Sequence, residues 1–145
     1  VKLQMLYSDE KFSVPENVYI IGMMNTADRS LAMLDYALRR RFAFYEMKPG
    51  FDNEKFVEYR MNLNNLKFDK LIDVVQSLNN AIATDESLGE GFKIGHSYFC
   101  NIKEISESRL SNIVEYELIP MLKEYWFDEP TKVKDWSNLL RGAVK

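Results

Sequence analysis

Asn25 stands just past a run of apolar and β-branched residues, Val18-Tyr19-Ile20-Ile21-Gly22-Met23, at the point where α/β sheets place groups that touch ligands. Its amide both donates and accepts hydrogen bonds, so it can orient a water, or it can close a turn with its own side chain. Further on, Arg39-Arg40-Arg41 ends a helical pattern, where cations complement the helix dipole. From Arg29 to Lys48 five basic and two acidic residues give a local +3 in a chain of net charge −3, which reads as an anion-facing patch. The single histidine, His96, and the single cysteine, Cys100, have no triad context around them. His96, followed by a serine and two aromatics, reads as a hydrogen-bonded packing residue.

Other chemistries lack their parts. A phosphate cradle needs a glycine-rich loop ending in Gly-Lys-Ser/Thr, and no Gly-Lys dipeptide occurs in the chain. Gly89 and Gly91 are followed by no such lysine, so they belong to a loop. Asp9-Glu10 imitates a metal-holding acidic pair, but the apolar run before it is short and broken by Ser8; Asp85-Glu86 follows a helix and reads as its terminus. One cysteine closes no intramolecular disulfide, there is no CxxC pair, and no metal site is expected. Apolar runs fall far short of the ~20 residues of a membrane span. A soluble, cytoplasmic protein is expected, and the acidic balance opposes direct DNA binding by this chain. The opening residue is Val1 rather than Met, and the chain is read as a fragment of something larger.

The elements that would hold these residues fall into two groups. Val1 to Pro15 is an irregular or hairpin-like lead-in. Val18 to Met23 reads as a strand buried on both faces, and Leu31, Leu34 and Leu38 recur at helical spacing, with Asp28 or Ser30 available as N-cap. Phe42, Phe44 and Tyr45 read as a second strand, stopped at Pro49-Gly50, so that β-helix-β points to an α/β sheet. Beyond the boundary the pattern turns helical: from Asp52 to about Met61, from Phe68 to Ala83, a longer helix capped by Ser106 or Ser108 that Pro120 must kink or restart, and a last helix from Thr131 to about Arg141. Glu86 to Phe99 reads as a loop with a brief extended piece. The fold class expected is an α/β remnant over residues 1–50 followed by an all-α body over residues 51–145, mainly α.

Val14-Pro15-Glu16-Asn17-Val18-Tyr19-Ile20-Ile21-Gly22-Met23-Met24-Asn25-Thr26-Ala27-Asp28-Arg29-Ser30, running on through Leu34-Asp35-Tyr36-Ala37-Leu38-Arg39-Arg40-Arg41-Phe42, resembles the McrB family of AAA+ proteins. Gly91-Phe92-Lys93-Ile94-Gly95-His96-Ser97-Tyr98-Phe99 and Tyr116-Glu117-Leu118-Ile119-Pro120-Met121-Leu122-Lys123-Glu124-Tyr125-Trp126 resemble that family's helical lid. The resemblance implies the end of a P-loop NTPase sheet and its lid, with Walker A and Walker B upstream of Val1. It implies a parent that hydrolyses GTP or ATP with Mg²⁺ in modification-dependent DNA restriction, as a homo-oligomeric ring, a hexamer, with an McrC-like nuclease subunit. DNA would be met through regions outside this chain.

On that resemblance Asn25 is a sensor 1 residue, orienting water at the γ-phosphate, and Arg40 and Arg41 are fingers reaching a neighbour's γ-phosphate, with Arg39 structural. Asp28 and Asp35 would hold arginines by carboxylate pairing, and Arg29 would add an interface contact. No sensor 2 arginine is assigned. The Trp and Tyr residues around Tyr125-Trp126-Phe127 would pack the lid core or, alternatively, form a partner-binding patch. The strand that normally separates the two predicted strands is absent, so residues 51–145 are expected to fold as a lid while residues 1–50 fray or pair irregularly. An alternative from another class is a non-catalytic interaction or assembly module that binds a partner subunit.

Overall fold

The structure, a computed structural model, describes residues 3–4, 7, 11–25, 36–102 and 105–145. The architecture is mainly helical. A minimal antiparallel pair, β1 (Leu3–Gln4) and β2 (Lys11–Phe12), sets Leu3 opposite Phe12 and Gln4 opposite Lys11, the hairpin-like lead-in expected. A short α1 (Tyr36–Arg39) precedes the helical body.

The body is built from α2 (Glu54–Leu63), α3 (Leu66–Thr84), α4 (Glu107–Asn112), a π-helical segment (Ile113–Leu118), α5 (Ile119–Tyr125) and α6 (Pro130–Val144). Its starts are chemically marked. Asn53 caps α2 by accepting from the Lys55 amide at 2.9 Å, and Asn65 caps α3 by accepting from Lys67 and Phe68 at 3.1 and 3.0 Å. Ser106 accepts from the Arg109 amide at 3.1 Å and starts α4. Asn64 takes the left-handed conformation between α2 and α3 (φ 44°), a conformation asparagine tolerates better than most residues.

Leu71, Ile72, Val75, Leu78 and Ile82, at helical spacing within the helix expected from Phe68, form the apolar stripe of α3 together with Phe68, and all six are fully buried. That helix packs chiefly against α6. Each such side chain contributes about 1.5–3 kcal/mol by leaving water. Leu110, Ile113, Val114, Leu118 and Leu122 close the core from the other side.

Pro120 sits in the first turn of α5, which follows the π segment without a break, so the expected restart is met by a change of helix type. Proline lacks an amide donor and its ring presses on the carbonyl of the preceding turn. The turn before it widens instead: the Ile119 amide bonds to the Val114 carbonyl, a π-type step, and the rod continues from Glu107 to Tyr125.

The two predicted strands of residues 1–50 do not form. Val18 to Met23 is irregular, with Tyr19, Ile21 and Met23 89%, 91% and 97% exposed, and Phe42, Phe44 and Tyr45 are likewise exposed and outside any ladder. A doubly buried parallel strand needs partners on both edges and layers on both faces. No described segment of this chain supplies them. Of the helix expected between the strands, Tyr36–Arg39 is observed, Arg40 and Arg41 lie in the turn after it, and residues 26–35 lie outside the described residues.

Candidate functional site

The structure places the predicted site residues on this irregular segment. Asn25 follows the exposed apolar run, and Arg40 and Arg41 follow α1, all three with exposed side chains. Arg39 sets its guanidinium over the Phe44 ring, 5.7 Å from the centroid, a local cation–π contact that fits the structural part read for it. Asp28, Arg29 and Asp35 lie outside the described residues.

Gly50, where the domain boundary was expected, is tied to the helical body. The Gly50 amide donates to His96 Nδ1 at 3.0 Å, which ties the entry of the helical body to the loop before α4. A Cβ on Gly50 would stand 3.0 Å from His96 Cε1, tight enough that the imidazole would have to give by a few tenths of an ångström. The imidazole meets Phe51 and Phe56 edge-on, with centroids 6.2 and 5.6 Å away, and Phe51 in turn packs on Phe99. His96 is the hydrogen-bonded packing residue its sequence context indicates. Burial pushes the Cys100 thiol above its ordinary pKa, which leaves it a poor nucleophile.

The glycine-containing loop forms two 3₁₀ turns, Glu90–Phe92 and His96–Phe99, with a short extended piece between. Asn79 holds it. The amide of this buried side chain donates to the Ile94 carbonyl at 2.9 Å and accepts from the Ile94 amide at 2.6 Å, copying one rung of a sheet. Tyr59 does the same at the next bend, accepting from the Ile102 amide at 3.0 Å and donating to its carbonyl at 3.3 Å.

Asp85, at the end of α3, does more than terminate a helix. Its carboxylate accepts from Trp126 Nε1 at 2.9 Å, Lys132 Nζ at 2.5 Å, and the Ser87 hydroxyl and amide at 2.6 and 2.9 Å. Hydrogen bonds from Lys132, then Ser87, hold its pKa far below the usual carboxylate range, against the opposing cost of burial. Lys132 also lies 4.5 Å from the Trp126 ring centroid. Residues from α3, α5 and α6 are thereby locked together. Arg60 pairs with Asp69 at 2.9 Å across the α2–α3 turn, and Arg141 forks onto Glu115 to join α6 to the π segment.

Sequence reading missed these ties because most of them join residues far apart in the chain. A signal was present for Asn79, a polar residue set inside the apolar stripe of α3, and for Trp126, whose indole N–H must find an acceptor once buried.

Residues 70–134 match the family model of the McrB alpha-helical lid domain, the stretch that runs from α3 into the start of α6. The chain is 48% identical over 141 residues to the Type IV methyl-directed restriction enzyme EcoKMcrB subunit of Escherichia coli (strain K12), a match covering 92% of this chain and 31% of that protein. The chain belongs to the McrB family. Residues 70–134 of its helical body are an McrB-type lid, and the ties at Asn79 and Asp85 lie within that stretch. It spans about a third of the length of the curated relative it matches. Among the described residues no helix is long and apolar enough to cross a membrane.

Proposed function

We propose that this chain is the sensor and lid part of an McrB-like AAA+ nucleoside triphosphatase. In that reading Asn25 orients the attacking water, Arg40 and Arg41 reach the γ-phosphate held by a neighbouring subunit, and residues 51–145 form the lid. Asp28 and Asp35 position the arginines, and Arg29 adds an interface contact. The parent hydrolyses GTP or ATP with Mg²⁺, works in the cytoplasm as a hexameric ring with an McrC-like nuclease subunit, and meets DNA outside this chain. Its hydrolysis drives modification-dependent restriction.

One observation carries the reading. The similarity to the EcoKMcrB subunit covers 92% of the chain, so it extends well beyond the lid into the segment that holds Asn25 and the arginines. An amide and permanently charged, planar guanidinium groups are the side chains this work requires: one to hold a water by donating and accepting, the others to neutralise charge that develops on transferring phosphate.

The decisive experiment uses the parent protein. Arg40→Ala or Arg41→Ala lowers turnover by about 10³-fold or more, as for other arginine fingers, while nucleotide binding in the same subunit is kept. A subunit lacking its own phosphate-loop lysine, mixed with the finger variant, restores sites that have both parts. Asn25→Ala lowers turnover by about 10²-fold with ring assembly intact. Loss of binding in cis, or normal turnover in all three variants, refutes the assignment. Normal turnover with loss of assembly instead favours an interaction module without chemistry.

A further inference from the structure

The corner where α5 meets α6 carries two shallow grooves that share Pro130 as a wall. One is lined by Asp128, Glu129 and Asp135, the other by Lys123, Lys134 and Arg141. Some of these charges are already engaged: Lys132, which also lines the first groove, is bound to Asp85 and Glu129, and Arg141 is bound to Glu115. Asp128 and Asp135 on one side, and Lys123 and Lys134 on the other, enter no ion pair among the described residues. Phe127 lies at the same corner with 83% of its surface exposed, directly after the buried Trp126.

From this juxtaposition we infer that the α5–α6 corner is a self-association surface, on which a second copy of this chain docks about a two-fold axis near Phe127 and Pro130. A two-fold operation brings the same patch of both copies together, so a patch with one acidic and one basic flank sets each flank against its opposite twice. The exposed ring then leaves water at the centre, with charges at the rim, the usual distribution of an interface. Other occupants fit less of the surface. An acidic peptide matches the basic groove alone, and a nucleic acid meets repulsion from Asp128, Glu129 and Asp135. The association is weak, because it rests on solvent-exposed charge pairs and one aromatic contact, and it weakens as salt rises. It does not depend on the nucleotide reading given above.

Sedimentation velocity on the 145-residue chain tests it. The chain shows a concentration-dependent monomer–dimer equilibrium at about 50 mM salt that shifts toward monomer at about 500 mM, as screening requires. Lys123→Glu with Lys134→Glu makes both flanks acidic, and Asp128→Lys with Asp135→Lys makes both basic. Each double variant alone is monomeric, and an equimolar mixture of the two forms a heterodimer at least as tight as the wild-type pair. All four side chains are surface groups, and unchanged thermal unfolding of each variant establishes that the fold is kept. Phe127→Ala weakens the wild-type dimer by about tenfold, the scale of a central aromatic contact. Several results overturn the inference: a strictly monomeric wild-type chain, association that strengthens with salt and ignores the charge variants, or failure of the mixed variants to pair. So does a monomer that instead binds a synthetic Glu-rich peptide through Lys123 and Lys134.

Discussion

Residues 18–23 and the apolar stripe of α3 draw on similar side chains, yet one is almost bare and the other completely covered. Ile20 and Ile21 are 65% and 91% exposed, whereas Ile72 and Ile82 are fully buried. The difference lies in where each backbone finds its hydrogen bonds. A helix satisfies nearly all of its amides within one segment and needs company on a single face, which α6 and the rod from Glu107 to Tyr125 provide. A central strand satisfies nothing by itself and depends on neighbours along both edges. Identical hydrophobicity therefore gives a self-sufficient lid in one half and an unclosed segment in the other.

The largest expected effect of this contrast is in hydrogen exchange. Amides of Leu71 to Ile82 exchange only through global opening, at rates about 10³-fold or more below those of residues 18–24, which have no ladder to break. Comparable protection of the two stretches would show that the upstream segment has found partners and that the contrast is false.

Substitution then reads the same contrast in free energy. Phe68 is fully buried and touches the rings of Tyr59 and Phe99 at centroid distances of 6.1 and 6.5 Å, so Phe68→Ala costs about 3–5 kcal/mol by lost transfer and a cavity. Ile21→Ala changes stability by no more than about 0.5 kcal/mol, as for other surface sites. Urea unfolding of both variants checks the pair; a large cost at Ile21 would place that side chain in the cooperative core.

How much of this was legible beforehand follows the same divide. Ser106 was read as a cap and serves as one, and the α3 core stripe repeats at helical period, so such features are local signals; Asn53 and Asn65, which cap α2 and α3, were not picked out. The sheet expected from Val18 to Met23 and Phe42 to Tyr45 failed because strand formation is not a local property. The run has the right composition, but its partners are no part of the described chain. Pro120 was read as a kink or a restart, and α5 does begin there; that the preceding turn widens to a π segment leaves no mark in the sequence. His96 was legible in kind, as a packing residue, but its partner Gly50 was not, since nothing local announces a contact 46 positions back. At the candidate site, Asn25, Arg40 and Arg41 were picked out through a long motif, and the chemistry proposed for them calls on groups that the described residues do not include.

Asp85 gives the next smaller effect and depends on pH. Its carboxyl pKa is lower in the folded lid than in the unfolded chain, so the native state favours the ionised form. The stabilisation is complete above the ordinary carboxylate range, near pH 4, and is lost as pH falls through the lowered native value. Asp85→Asn removes the charge that faces Lys132 and costs about 2–3 kcal/mol at neutral pH, less than the removal of a fully dry ion-pair partner. The gap between wild type and variant narrows toward acid pH. Thermal unfolding of both proteins from pH 7 downward measures it, and a gap that stays constant would mean that Asp85 acts as a neutral cap.

The smallest effect sits on the seam between the two regions and sharpens where one ends. Gly50→Ala brings a methyl group to 3.0 Å from His96 Cε1, so either the imidazole shifts and loosens its bond to the Gly50 amide or the backbone withdraws. The expected cost is about 1–2 kcal/mol, typical of overpacking at a partly exposed site. His96→Ala alone costs a similar amount, because the Gly50 amide loses its acceptor and Phe51 and Phe56 lose an edge contact. The informative measurement is the double variant. With the ring gone the new methyl has room, so the combined loss falls short of the sum by about 1 kcal/mol, the coupling expected of residues in direct contact. Additive losses would mean that the joint is slack and that the rigid lid begins at Phe51 rather than at Gly50.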